Sequence, residues 1–265
     1  MTSDPIPFPP DSPGIIEASG KDAARFLNGQ VTQEVRFLGD RTLFSCITDA
    51  KGKLQHFVEL TQGPEAGCIW VLCRSDEVDE VFARLDRYLI ADEVELRVRT
   101  GEWHRHRQPS SEDTTGFSRV AAWPEGWVDH WDRGGVESRN IWPDELEERR
   151  ISEELPRWGK EIVPGMLPPE AGLDRIAISY QKGCYIGQET LSRIKSAGKL
   201  NRKLVGLRIA GPVSEGDSLE IDGVACGEIT SISPSGQKAL GFVKKSGFGV
   251  SEFTIGPTGS HAELI

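Results

Sequence analysis

Lys182-Gly183-Cys184-Tyr185-Ile186-Gly187-Gln188-Glu189 concentrates a thiol, an ammonium, a carboxylate and two glycines in eight positions. The run before it, residues 176–180, alternates as a half-buried strand does. The run after it, residues 187–194, reads as the start of a helix. This spacing puts Cys184 in a turn ahead of a helix N-terminus, with Lys182 beside it. Unpaired N–H groups at such a terminus and a neighbouring ammonium both favour thiolate over thiol. The same residues also make a strand-to-helix turn with an inert thiol. Cysteines are most often buried and structural, so spacing by itself favours that plainer reading.

A basic strip continues from the motif. Lys182, Arg193, Lys195, Lys199, Arg202 and Lys203 fall within 22 residues that hold one acid, Glu189. It reads either as a solvated face or as an anion site for the polyanionic tail of a small ligand. The whole chain carries a net charge of −10, which opposes broad electrostatic binding to nucleic acid. Five cysteines, at 46, 68, 73, 184 and 226, contain no Cys-x-x-Cys pair, so neither a disulfide framework nor a zinc site is expected. No apolar run approaches a membrane span. Residues 1–14 hold five prolines and no hydrophobic signal core, which suggests an extended tail and a cytoplasmic protein.

The elements that must position the motif follow in chain order. Residues 15–20 suggest a strand and 21–28 a helix that Gly29 would end. Residues 41–48 and 54–60 read as a hairpin around the Asp49-Ala50-Lys51-Gly52-Lys53 turn. Residues 68–73 form an apolar strand, 76–90 an amphipathic helix and 93–98 another strand. Hairpin, strand, helix and strand make an α+β unit of ferredoxin-like type over about residues 41–100. Residues 101–116 are polar and read as a surface loop, in which His104-x-His106 could ligate a metal but has no third ligand nearby. Residues 117–123 and 126–131 suggest strands, and a charged helix begins at Asp144. Tryptophans 123, 127, 131, 142 and 158 serve packing or could wall a pocket for a flat heterocycle. Residues 203–265 change to short strands with regular turns and a ragged end, a small all-β barrel or sandwich. The chain has no dinucleotide fingerprint, P-loop or nucleophile elbow.

The eight-residue motif resembles the signature of the YgfZ family of folate-binding, iron–sulfur-related proteins. Asn28-Gly29-Gln30-Val31-Thr32 with Glu34-Val35 is similar to that family's early Gln-Gly-Gln-x-Thr-x-Asp-Val segment, and Asp49 to Lys53 to its hairpin turn. Three matches in the same order are far more specific than one. The family is related to the T-protein of the glycine-cleavage system, an aminomethyltransferase. Residues 150–159 and 168–173 resemble T-protein stretches, and Cys184 stands where the T-protein pattern has an aspartate. Other positions depart from that pattern. The T-protein's acidic pterin contact falls at Ser152, with Glu153 next to it. Its strand-end asparagine falls near Leu72 and Cys73, and its catalytic aspartate near Glu80.

The resemblance implies a fold and a function. The fold is a T-protein-like α+β ring of subdomains, one of them ferredoxin-like, over residues 1–200, with a C-terminal all-β barrel over 201–265. The residues between 101 and 140 look short for the family, so its second subdomain should be trimmed. The function is that of an accessory protein for iron–sulfur cluster assembly or maintenance in client enzymes, with a tetrahydrofolate-type ligand. Cys184 would be the reactive thiol and Lys182 would favour its thiolate. Gly183 and Gly187 would allow a tight turn, and Tyr185, Gln188 and Glu189 would shape the site. Gln30, Asp49 and Lys51 would line the ligand, and Arg193 or Lys199 would meet its glutamate tail. The alternative is a tetrahydrofolate-dependent one-carbon transferase with Glu80 or Asp49 as its acid. A third reading is a binding module without chemistry.

Overall fold

A computed structural model describes residues 13–110, 117–133 and 143–265. The tail expected at residues 1–14 falls almost wholly outside them, as do residues 111–116 of the expected loop and Trp142. The chain divides into two compact units that alternate along the sequence. One takes residues 1–140 and 176–190, the other 141–175 and 191–265.

The first unit begins with β1 (Gly14–Ser19), α1 (Ala23–Gln30) and the hairpin β2 (Leu43–Thr48) and β3 (Leu54–Gln62). Then come β4 (Ile69–Cys73), α2 (Val78–Asp86) and β5 (Glu95–Val98). The strands form one antiparallel sheet in the order β2-β3-β4-β1-β5. β1 pairs with both β4 and β5, so the ferredoxin-like unit takes its inner strand and first helix from residues before 41. Alternation puts Ile16, Ala18, Val58, Leu60 and Val71 on one face. There they pack with Phe26 and Leu27 of α1 and Val81 and Leu85 of α2. Each of these side chains larger than alanine contributes about 1.5–3 kcal/mol on burial.

The other face meets a three-stranded sheet of β6 (His104–Pro109), β7 (Phe117–Val120) and β8 (Trp127–Asp132), in the order β6-β8-β7. Trp70 of β4 lies edge-on to Trp103, Phe117 and Trp131 at 5.1–5.4 Å between ring centroids. Beside this aromatic cluster, Glu59 of β3 pairs with Arg105 and Arg107 of β6. Arg107 also grips both oxygens of Asp129 and donates to the Trp123 carbonyl at 2.7 Å. β6 corrects the expectation of a surface loop at residues 101–116. Its inward residues are arginines in an ion cluster and its outward ones are histidines, so hydropathy shows no alternation. His106 sits opposite His130 of β8 and lies 2.9 Å from Asp132.

In the second unit α3 (Asp144–Ser152) leads into irregular turns up to Arg175. Fully buried Arg150 grips Glu147 at 2.8 and 2.9 Å and donates to the Leu155 carbonyl. Glu161, also fully buried, accepts from the Arg157 N–H and from Ser231 Oγ of the barrel. α4 (Gln188–Ala197) carries the chain out of the first unit. The strands β9 (Arg202–Ala210), β10 (Ser218–Ile221), β11 (Val224–Ile232), β12 (Lys238–Lys244), β13 (Glu252–Ile255) and β14 (Ser260–Leu264) form a closed barrel. The order is β10-β11-β12-β9-β14-β13. The ragged end expected after residue 243 is β13 and β14, which close the barrel and leave no open edge. Leu207, Leu219, Ile229, Phe253 and Ile255 fill its interior.

The ion cluster gives the first unit an acid-sensitive seam. Burial raises the Glu59 carboxyl, but the Arg105 and Arg107 guanidiniums outweigh it and hold the group below its ordinary 4.5. A carboxyl lowered on folding stabilises fully above its unfolded pKa and loses that contribution as pH falls through the folded value. Tryptophan emission during acid titration should therefore report loosening only below about pH 4.5. Glu59→Gln should cost about 3 kcal/mol at neutral pH in denaturant unfolding and flatten the acid dependence.

Candidate functional site around Cys184

The site begins where α1 ends. The helix runs through Gly29 to Gln30, so Gly29 does not terminate it as expected, and nothing lies within 4 Å of where a Cβ on it would stand. Thr32, fully buried just beyond, is the first junction. Its Oγ1 donates to the Ala177 carbonyl at 2.6 Å and accepts from the Cys46 N–H at 2.9 Å. The Thr32 carbonyl accepts from the Ser179 N–H at 3.0 Å. Residues 176–180 are thus not the strand that their alternation suggested. Their backbone finds its partners on a side chain and a loop, and no ladder forms.

The second junction is the β2–β3 turn. Asp49 Oδ1 accepts from the Lys51 and Lys53 N–H groups at 2.8 and 2.9 Å, which closes the turn. Thr48 Oγ1 donates to the Ile186 carbonyl at 2.6 Å, and the Ile186 N–H donates to Gly29 O at 3.3 Å. Gly187 has φ +89°, and a Cβ there would lie 2.6 Å from Asp49 O, 2.7 Å from Thr48 Oγ1 and 2.9 Å from the Gly52 Cα. Only glycine fits that approach. Gly183 is different: its φ is not positive and nothing lies within 4 Å of a Cβ there, so the tight turn does not depend on it.

Gln30 is buried, and its Oε1 accepts from Arg84 of α2 at 3.0 Å. Arg84 also reaches Gln55 Oε1 at 2.8 Å and the Thr48 carbonyl at 3.3 Å, and stacks over the Tyr88 ring at 4.2 Å. It is a supporting residue that sequence reasoning missed, because α2 was read through its apolar positions. The Arg-to-Tyr spacing of four, within the helix expected over residues 76–90, is the available signal, although α2 ends at Asp86 and Tyr88 lies in the turn beyond it.

Within the motif the structure buries Lys182 and Tyr185 and exposes Gly183 and Cys184 between them. Lys182 is buried, and its Nζ donates to the carbonyls of Asn28, Val31 and Gln33 at 2.7, 2.8 and 2.7 Å. All three ammonium hydrogens are engaged, so none is left for the Cys184 sulfur. Any influence of Lys182 on the thiol therefore acts through its charge and not through a hydrogen bond. Burial pulls its pKa down to about 7, with the Glu34 carboxylate opposing and Arg36 adding to the fall. Tyr185 is buried with its ring 5.1 Å from that Nζ. Its hydroxyl has no hydrogen-bond partner among the described residues, and burial, with Tyr180 and Cys46 near, raises its pKa. Cys184 is exposed, whereas Cys46, Cys68, Cys73 and Cys226 are buried. Burial pushes the Cys46, Cys68 and Cys73 thiols up to about 12 and raises that of Cys226.

The remaining expected residues are more dispersed. Lys51 is exposed in the hairpin turn, and Gln188 and Glu189 open α4. Arg193 and Lys199 are exposed and belong to the second unit. Ser152 Oγ donates to Glu148 O and accepts from Lys238 Nζ, both at 2.7 Å, while Glu153 pairs with Arg149. Glu80 is exposed in the first turn of α2. Among the described residues no three His, Cys, Asp or Glu side chains are grouped to hold a metal ion.

No family model matches the chain. It is 26% identical over 288 residues to a putative chloroplastic transferase of Arabidopsis thaliana, covering 88% of this chain. The chain spans 63% of that relative's length. It is 26% identical over 263 residues to the mitochondrial iron–sulfur cluster assembly factor IBA57 of Mus musculus, covering 86% of this chain and 72% of that protein. It is also 26% identical over 238 residues to the tRNA-modifying protein YgfZ of Aliivibrio fischeri, covering 78% and 72%. The fold is that of the glycine cleavage system aminomethyltransferase T from Bartonella henselae. The two superpose with a TM-score of 0.74 at 16% identity, over 96% of this chain and 83% of that one.

Two measurements check this geometry. Mass spectrometry after native alkylation should find one label, on Cys184, and five labels after unfolding. Gly187→Ala should cost about 2 kcal/mol or more in denaturant unfolding, through strain at positive φ and the clash with the hairpin. Gly183→Ala should stay within about 0.5 kcal/mol.

Proposed function

Because the chain fits the family of the YgfZ and IBA57 proteins, related to the aminomethyltransferases, we propose that it assists iron–sulfur cluster assembly or maintenance in client enzymes. The observation that carries this reading is the exposure of Cys184 alone among five thiols, on a turn fastened at both ends. Cys184 is the reactive group. One thiol does not complete the four ligands a cluster normally takes, so the protein acts on clusters or thiols of its clients and holds no cluster of its own. A cytoplasmic location belongs to the same proposal. No helix among the described residues is long and apolar enough to cross a membrane.

A tetrahydrofolate-type ligand is part of the reading and rests on the family resemblance. The exposed cation Lys199 suits an anionic glutamate tail. The pterin side fits less well. The T-protein's carboxylate position holds Ser152, whose hydroxyl is already engaged. The same point weighs against aminomethyl transfer. Asp49 uses Oδ1 within its own turn, and Glu80 is an exposed helix residue.

In cells lacking the protein, wild type should restore iron–sulfur enzyme activity and Cys184→Ser should not, although the variant keeps its thermal stability. Full restoration by Cys184→Ser would sink the proposal. Titration with tetrahydrofolate should change tryptophan fluorescence saturably. No change up to about 1 mM, the upper end for ordinary small ligands, would remove the folate half.

A further inference from the structure

The carbonyls of Asn28, Val31 and Gln33 converge on one point, and the Lys182 ammonium occupies it. Among the described residues no carboxylate lies within salt-bridge distance of Lys182. Glu34, the nearest acid in its field, is held by Arg36 through two hydrogen bonds at 2.9 and 2.7 Å. The niche is thus a cation site made of backbone at the C-terminal end of α1, where carbonyls carry partial negative charge.

We propose that Lys182 is the positioning residue of the Cys184 site: it fastens the motif to the loop of residues 28–33 and does not charge the thiol. The pattern of fastening supports this. Before Cys184 the chain is held by Thr32 at Ala177 and Ser179, and by Lys182 in its niche. After it the chain is held by buried Tyr185 and by the Thr48 bond to Ile186. Only Gly183 and Cys184 lie between the two holds, and both are exposed. Lys182 and Tyr185 clamp a two-residue bridge that presents the sulfur.

The groups that face the ammonium are Glu34 and Arg36 from the loop and the Tyr185 ring from its own segment. Burial draws the ammonium toward neutral, while the three carbonyls favour the charged form that can donate to all of them. An arginine would keep the charge, but its planar fork does not match three converging acceptors.

The inference rests on the proposed function only in taking Cys184 as the reactive group, and its test uses no client enzyme. Alkylation of Cys184 against pH and hydrogen–deuterium exchange are measured on the full chain for wild type, Lys182→Met and Lys182→Arg. Positioning predicts that Lys182→Met leaves the alkylation midpoint within about 0.3 pH unit. It also predicts that exchange of residues 28–35 and 183–187 speeds about tenfold or more. A midpoint raised by about one unit with unchanged exchange would overturn the proposal and return Lys182 to the thiolate's side. Should Lys182→Met fail to fold, Lys182→Arg decides. Faster exchange with an unchanged midpoint supports the niche, and wild-type exchange overturns it. Loss of client maturation in cells moves independently of these readouts.

Discussion

Backbone polar groups buried outside regular structure must find partners elsewhere, and the candidate site is built on that requirement. Residues 176–187 enter the first unit without forming a helix or a strand. Their N–H and carbonyl groups are met by Thr32, Thr48 and the end of α1. In return the carbonyls that α1 and its loop leave open are met by Lys182. Each side supplies what the other lacks. The hairpin turn adds a steric condition, because Gly187 approaches Asp49 and Gly52 too closely for any side chain. Cys184 is where it is because the backbone on both sides of it is held.

The first unit buries positive charge in two ways. Arg105 and Arg107 meet carboxylates and join two sheets, so removing one partner strands a charge. Lys182 and Arg84 meet neutral oxygens, from carbonyls and amide side chains. The second arrangement places cations near the motif without bringing carboxylates with them.

How much of this was legible depended on what each residue contacts. The β2–β3 hairpin was readable because Asp49 and Gly52 carry their turn preference in their own side chains. The barrel strands up to residue 243 were readable from their alternation. β6 was hidden, since arginines pointing inward and histidines pointing outward give hydropathy no period to find. Alternation at residues 176–180 misled for the opposite reason: a segment can look like a strand and take its hydrogen bonds from a threonine. Lys182 shows the limit most plainly. Its place two residues from a thiol was visible, but whether its amine turns toward sulfur or toward carbonyls 149–154 positions away depends on contacts that spacing does not encode.

The alternation of the two units along the chain bears on biosynthesis. A ribosome delivers residues 1–140 first, with the hairpin and both helices of the first unit already present. Thr32, Thr48 and the carbonyls at the end of α1 then wait for residues 176–186, which emerge only after a length of chain that belongs to the other unit. Until that return, the early chain holds an unfinished cradle, with polar groups that water must serve. The thiol and the lysine that anchors it therefore arrive together, well after the loop and hairpin on which they dock, so the nascent protein cannot expose a finished Cys184 turn before most of its length has been made.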